Sequence, residues 1–381
     1  MKAEKRADLS KSVAIIGTRG YPSYYGGFET AVRKLAPYLA DSGWDTTVYG
    51  RPGSIREDDP GADKRINSVT TRGIETKSLS TLSYGLTAVL HALLHKPDVA
   101  LVMNVANGFW LPLLRLRGIP TIVNVDGIEW KRAKWGRAAK GVFKLGAKFT
   151  GWFANELVSD SLEIRRIWKN EFKRDSVFIP YGGDIPGVLP VLPGLRHRDY
   201  ILVVARFVPE NTIGEFFEAV PDIAANHHVV IVGSSGYGGE FDATAANLAR
   251  EHSNVTWLGH VNDDEKLLSL WQHSGIYFHG HSVGGTNPAL VQAMACGAPV
   301  VARDTVYNRE VLGDLGIYVE PDAQSIASAI SAAMMEEDRG NVAADLISRA
   351  RSEYSWADVC GRYEAVVRRW SIDPALERLE V

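Results

Sequence analysis

Short runs of β-branched and other apolar residues recur along the chain. Each closes in Gly, Asp, Asn or Pro and is followed by apolar positions at helical spacing. The first half carries such runs at 13–17, 46–49, 98–103, 121–125, 156–159 and 177–180. The second half carries them at 200–205, 228–232, 255–258, 275–278 and 299–302. Strands that are apolar on both faces and alternate with helices predict parallel sheets covered by helices on each side. Because the series runs twice, the expected fold class is α/β with two doubly wound, Rossmann-like domains. Residues 184–199, DIPGVLPVLPGLRHRD, contain three prolines and two glycines. Such a stretch cannot hold a helix or a central strand and reads as a linker. The expected domains are 12–187 and 188–355. A last helix over 356–371 follows, with Ser355 as its cap and Val359, Tyr363, Val366, Val367 and Trp370 at helical spacing.

Composition narrows the function classes. The chain has 381 residues, 45% hydrophobic and 23% charged, which excludes a largely disordered protein and suits two cores. Forty-two basic against 45 acidic residues leave a net charge of −3, so the whole is no polyanion binder and nucleic acid is not an expected partner. Two cysteines, Cys296 and Cys360, cannot build a disulfide framework or a cysteine zinc site. The first twelve residues are charged throughout and lack the apolar stretch of a signal peptide. No apolar run approaches the ~18–20 residues that span a bilayer. The run at 86–94 is short and predicts a buried helix. The expected setting is soluble and cytoplasmic, or peripheral at the inner face of the plasma membrane.

Ligands of open parallel sheets bind outside the carboxyl ends of the strands, so candidate chemistry belongs in the loops that follow them. After the first strand, Gly26 and Gly27 stand just before a helix, where missing side chains let a ligand reach backbone amides; Arg19 lies in the same loop. The dinucleotide pattern G-x-G-x-x-G is absent there, which disfavours a dehydrogenase. In the second domain Arg206 directly follows a strand and is placed to bind a diphosphate as a bidentate donor. Further on, HGHSVGGTNPALVQ offers Asn287 as N-cap, Pro288 in the first turn, and the amides of Gly285 and Thr286 at a positive helix end.

These landmarks resemble the GT-B glycosyltransferases, in particular the large retaining family 4. The matching residues are Gly26-Gly27, the run 180–184 (PYGGD), Arg206 with Pro209 and Glu210, Gly233, the run 258–260 ending in His260, and the run AMACGAPVVA. The final helix resembles the one that crosses back to the first domain in that fold. Within the superfamily GTRGYPSYYGGFET, VDGIEWKRAKW, FVPEN and HGHSVGGTNP resemble the bacterial β-1,4-rhamnosyltransferases of capsule and cell-envelope polysaccharide synthesis. The resemblance implies a nucleotide-sugar donor, dTDP-rhamnose with UDP or GDP sugars left open. It also implies a saccharide or polyprenyl-diphosphate-linked acceptor. Three departures from the family involve four positions: Gly284 and Gln292 replace its two spaced glutamates, Asn211 replaces the lysine after the diphosphate arginine, and Asp126 replaces a histidine. The second of those glutamates normally holds the ribose hydroxyls.

The same resemblance implies roles. Arg206, the 285–286 amides and Arg19 would stabilise the leaving diphosphate, and no cofactor or metal is expected because the chain holds no D-x-D triplet. Asp126 would act as general base or orient a sugar, with Glu129 as rival carboxylate; His281 would touch the donor sugar. A nucleotide-sugar epimerase and a non-catalytic sugar-nucleotide-binding protein remain as alternatives. Finally, residues 131–152 hold seven basic and no acidic residues. Lys140, Lys144 and Lys148 form one helical stripe, while Val142, Leu145, Phe149 and Trp152 form another, with Trp130 and Trp135 upstream. That pattern suits an anionic membrane surface, or a solvated face packed by its apolar stripe onto the domain.

Overall fold

A computed structural model describes residues 11–24, 26–55, 58–75, 80–132, 136–236 and 238–371. The expected Trp135 lies outside them. The chain divides into two compact units, one of residues 1–180 with 357–381 and one of residues 181–356.

Unit 1 begins β1 (Ser12–Ile16), α1 (Gly27–Asp41), β2 (Asp45–Gly50), β3 (Asn67–Thr70), α2 (Ser80–His95) and β4 (Val99–Met103). It continues α3 (Leu111–Leu116), β5 (Thr121–Asn124), α4 (Arg137–Phe153), β6 (Glu156–Ser159), α5 (Leu162–Phe172) and β7 (Val177–Phe178). The sheet order is β3-β2-β1-β4-β5-β6-β7, all parallel. β1 and β4, its central strands, are buried through Val13–Ile16 and all of β4, as strands covered on both faces must be.

Unit 2 contains β8 (Tyr200–Val204), α6 (Ile213–Ala224), β9 (His228–Val232), α7 (Glu240–Glu251), β10 (Val255–Trp257), α8 (Asp264–His273) and β11 (Ile276–His279). Then follow α9 (Pro288–Ala295), β12 (Val300–Arg303), α10 (Val306–Leu312), β13 (Ile317–Val319), α11 (Ala323–Met335) and α12 (Arg339–Glu353). Its parallel sheet runs β10-β9-β8-β11-β12-β13. The period of two sends alternate residues of β8 to different cores: Ile201 and Val203 join one buried cluster, Tyr200 and Leu202 the other.

The eleven expected strands are present; β3 and β13 are additional, and both are sheet edges. The boundary differs from 187/188. Residues 184–199 have no regular structure, as expected, but they lie along α8 within unit 2. Gln272 receives the Leu189 N–H (2.8 Å) and donates to the Gly187 carbonyl (2.8 Å), while Ser269 donates to Pro190 (2.7 Å). Helix α13 (Trp356–Ser371) packs on unit 1: Tyr363 accepts from the Asn124 amide (2.6 Å) and Glu364 from the Trp44 indole (3.1 Å).

Candidate functional site

In unit 2 the expected donor residues gather at the carboxyl ends of four neighbouring strands. Arg206 follows β8, Gly233 follows β9, His260 follows β10 and His281 follows β11, in a sheet ordered β10-β9-β8-β11. Pairing of β8 with β11 brings the PEN loop against the HSVGGTNP loop. Ser282 donates both its amide (3.0 Å) and its hydroxyl (2.7 Å) to the Glu210 carbonyl, and Thr212 donates to Gly280 (2.6 Å). Arg206 is exposed, and its guanidinium makes no hydrogen bond or ion pair among the described residues. Its loop is nonetheless fixed: Phe207 donates its amide to Ser234 (3.1 Å) and the Asn211 amide group donates to the Arg206 carbonyl (2.9 Å). Gly233 has φ +131°, and a Cβ there would lie 1.8 Å from the Ala205 carbonyl oxygen, so this crossing of backbones admits only glycine.

Asn287 caps α9 through its side chain, which accepts from the Ala289 amide (3.0 Å), with Pro288 in the first turn. Gly285 and Thr286, both buried, directly precede this cap, and Gly284 adopts φ +111°. His281 stacks on His279 with centroids 4.4 Å apart; burial holds the His279 imidazole well below its usual pKa, hence neutral.

Two expected donor contacts are occupied within the protein. Asn211 is buried and spends its side-chain N–H on the loop of Arg206, so it serves as a brace. Gln292 accepts from the Asp184 amide (3.0 Å) and donates to the Asp184 carbonyl (2.6 Å). Its amide ties α9 to the 181–184 segment, where Gly183 also donates to Tyr354 (2.8 Å).

In unit 1 the loop after β1 carries Arg19, whose amide donates to the buried Glu29 carboxylate (3.0 Å) and whose carbonyl accepts from Arg51 (3.0 Å). Gly26 caps α1 in an extended conformation (φ −170°), and a Cβ there would meet only Glu29 Oε2 at 3.4 Å. Gly27 opens the helix. Asp126, after β5, is half-buried and donates its amide to Asn124 Oδ1 (2.8 Å), which is itself held by Tyr363 of α13. Burial raises the Tyr363 pKa, and the carboxylates of Asp160 and Asp126 lie near enough to raise it further. Glu129 pairs with Arg132 (3.1 Å) and is therefore committed locally.

Trp130 corrects one expectation. It is buried, donates to Glu171 (3.3 Å), and packs edge-on against Trp168 and Phe172, so it is core and does not face acceptor or membrane. On α4, Lys144 and Lys148 are exposed and Lys140 half-exposed, and of the apolar stripe only Phe149 packs inward, half-buried with its ring 5.5 Å from that of Phe109, while Val142, Leu145 and Trp152 are exposed. Two residues at the same sheet end escaped the sequence analysis. Arg51 follows β2, is buried, and has its pKa lowered by burial and by nearby Arg19; Asp160 follows β6 and is buried. Both are charged residues immediately after a strand, the signal that singled out Arg206.

The profile described as "Glycosyl transferase 4-like domain" matches residues 26–182, and "Glycosyl transferases group 1" matches residues 198–336. Each unit is a glycosyltransferase domain. Among relatives of these domains, a phosphatidyl-myo-inositol mannosyltransferase of Mycolicibacterium smegmatis is 30% identical over 223 residues, covering 54% of this chain and 56% of the relative. An O-antigen chain mannosyltransferase B of Escherichia coli is 26% identical over 177 residues, covering 44% and 46%. The matches thus span about half the length of these two relatives. The paired glycosyltransferase domains have the GT-B fold of similar solved structures. A sucrose-phosphate synthase of Thermosynechococcus elongatus superposes with TM-score 0.76 at 18% identity, over 94% of this chain and 98% of the other. Anabaena HepE in complex with UDP gives 0.71 at 16%, over 94% and 100%.

Proposed function

We propose that the protein transfers rhamnose from dTDP-rhamnose, with retention and without metal, to a saccharide or polyprenyl-diphosphate-linked saccharide. The reaction belongs to cell-envelope polysaccharide synthesis at the cytoplasmic face of the plasma membrane. The observation that carries the reading is Arg206, an exposed guanidinium with no partner among the described residues, on a braced loop that is bonded through Glu210 to Ser282, just before the 284–288 turn. Breaking the anomeric carbon–oxygen bond leaves negative charge on the diphosphate. Arg206 and the amides at 285–286 stabilise that charge without a reorganising solvent shell. In a same-face substitution the leaving phosphate oxygen takes the acceptor proton. Asp126, fixed through Asn124, then orients the attacking hydroxyl. The rhamnose assignment rests on the GTRGYPSYYGGFET and HGHSVGGTNP motifs. A second reading, transfer of mannose, is favoured by the two mannosyltransferase relatives.

A panel of dTDP-, UDP- and GDP-sugars separates these readings. A donor present at 100 times its Kd stabilises the folded protein by about 2.7 kcal/mol, and NMR of that donor with acceptor present reads transfer. Arg206→Ala is expected to weaken donor binding and reduce transfer by about 10²-fold or more, roughly 3 kcal/mol. Asp126→Asn should leave donor affinity unchanged while turnover falls. Near-normal transfer by Arg206→Ala would overturn the diphosphate assignment.

A further inference from the structure

Large apolar side chains are exposed along three helices of unit 1: Leu90 and Leu94 on α2, Leu116 on α3, and Val142, Leu145 and Trp152 on α4. Leu94 is 81% and Leu116 86% exposed. The helices are joined side by side. Arg117, at the end of α3, donates to the Leu93 carbonyl of α2 (3.1 Å), and Arg115 of α3 donates to the Trp152 carbonyl of α4 (3.4 Å).

The packing of α4 explains why Val142, Leu145 and Trp152 face outward. It buries Gly146, Ala147, Thr150 and Gly151; Gly146 and Thr150 meet the turn at 105–110, where a Cβ on Gly108 would lie 2.2 Å from the Gly146 carbonyl oxygen, while Gly151 lies beside Phe172 and Arg174. Backbone meets backbone there, and no large side chain fits between. At 100° per residue the opposite side of α4 groups Val142, Leu145 and Trp152 in one strip, with Arg137, Lys144 and Lys148 in the strip beside it. Arg174 donates to the Gly151 (2.8 Å) and Ala154 (3.0 Å) carbonyls, which holds the end of the helix in place.

Charge selects the partner. None of α2, α3 and α4 contains an Asp or Glu, while Lys96, Arg115 and Arg117 add to the bases of α4. A face of one sign repels its own copy and attracts a polyanionic plane. We propose that the α2–α3–α4 face docks on a bilayer containing anionic lipid. Trp152 and the exposed leucines enter the headgroup boundary while the lysines and arginines lie against lipid phosphates. Docking is parallel to the surface, since no helix among the described residues is long and apolar enough to cross a membrane. Docking of this face does not depend on sugar transfer.

The test is co-sedimentation with phosphatidylglycerol-containing vesicles and with pure phosphatidylcholine vesicles at low and high salt. The wild type is expected to pellet with the anionic vesicles and to be released by salt. Two double variants at exposed positions, Lys144→Glu with Lys148→Glu and Leu94→Ser with Leu116→Ser, should each partition at least about tenfold less. Wild type that stays in the supernatant with both vesicles overturns the proposal, as does binding that neither variant weakens. Sedimentation velocity showing a wild-type dimer that the leucine variant dissolves would assign the face to a second copy instead. None of these measurements reads transfer, so this proposal and the enzymatic one fail separately.

Discussion

At the scale of single residues, Gln292 is the side chain whose chemistry the structure redefines. A primary amide accepts and donates at once, and here it does both to the backbone of Asp184, at 3.0 and 2.6 Å. A carboxylate could keep the first contact but would face the Asp184 carbonyl with no proton to offer. Gln292→Glu is therefore expected to cost about 1–3 kcal/mol, read as a lower urea midpoint, with no gain in nucleotide affinity. A tighter nucleotide complex would mean that the ribose contact outweighs the clamp. The helix-start motif made Gln292 legible in the sequence. Its partner, 108 residues earlier, was not, because backbone groups carry no sequence signature. The same holds for Asn211, where the residue type gives no hint that its amide would turn back to Arg206. Arg51 and Asp160 could have been found by position after a strand, but neither lies in a motif.

At the scale of elements, strands were legible where both faces are apolar. β3, with sequence NSVT, and the three-residue β13 are edge strands; their polar or short runs carry little of the hydrophobic signal. Helix α4 was legible as a helix but its buried side was not. Periodicity weights large apolar residues, whereas this interface is made by the smallest ones. Gly108→Ala is expected to lower the thermal midpoint, at about 2 kcal/mol or more, because its Cβ would sit 2.2 Å from Gly146 and 2.4 Å from Thr150 Oγ1. Gly141→Ala, on the open side of the same helix with nothing within 4 Å, should raise it by about 1 kcal/mol. Equal effects from both would show that α4 does not pack through backbone contact.

At the scale of the molecule, the net charge of −3 conceals an uneven distribution. Residues 80–153 hold ten Lys and Arg against three Asp and Glu, leaving 32 basic and 42 acidic residues elsewhere. Each unit also carries one buried thiol, Cys360 in unit 1 and Cys296 in unit 2, and burial pushes both pKa values up to about 12. Since the thiolate is the reactive form, a thiol reagent at pH 8 should leave the native protein unlabelled. On heating, each cysteine should label at the transition of its own unit, read by peptide mass spectrometry. Rapid native labelling at either site would contradict the packing around it. The chain passes from unit 1 into unit 2 and returns through α13, and this path imposes an order on biosynthesis. The second unit can leave the ribosome whole while the first still waits for the helix that anchors Asn124, so the half begun earliest is the last to be completed.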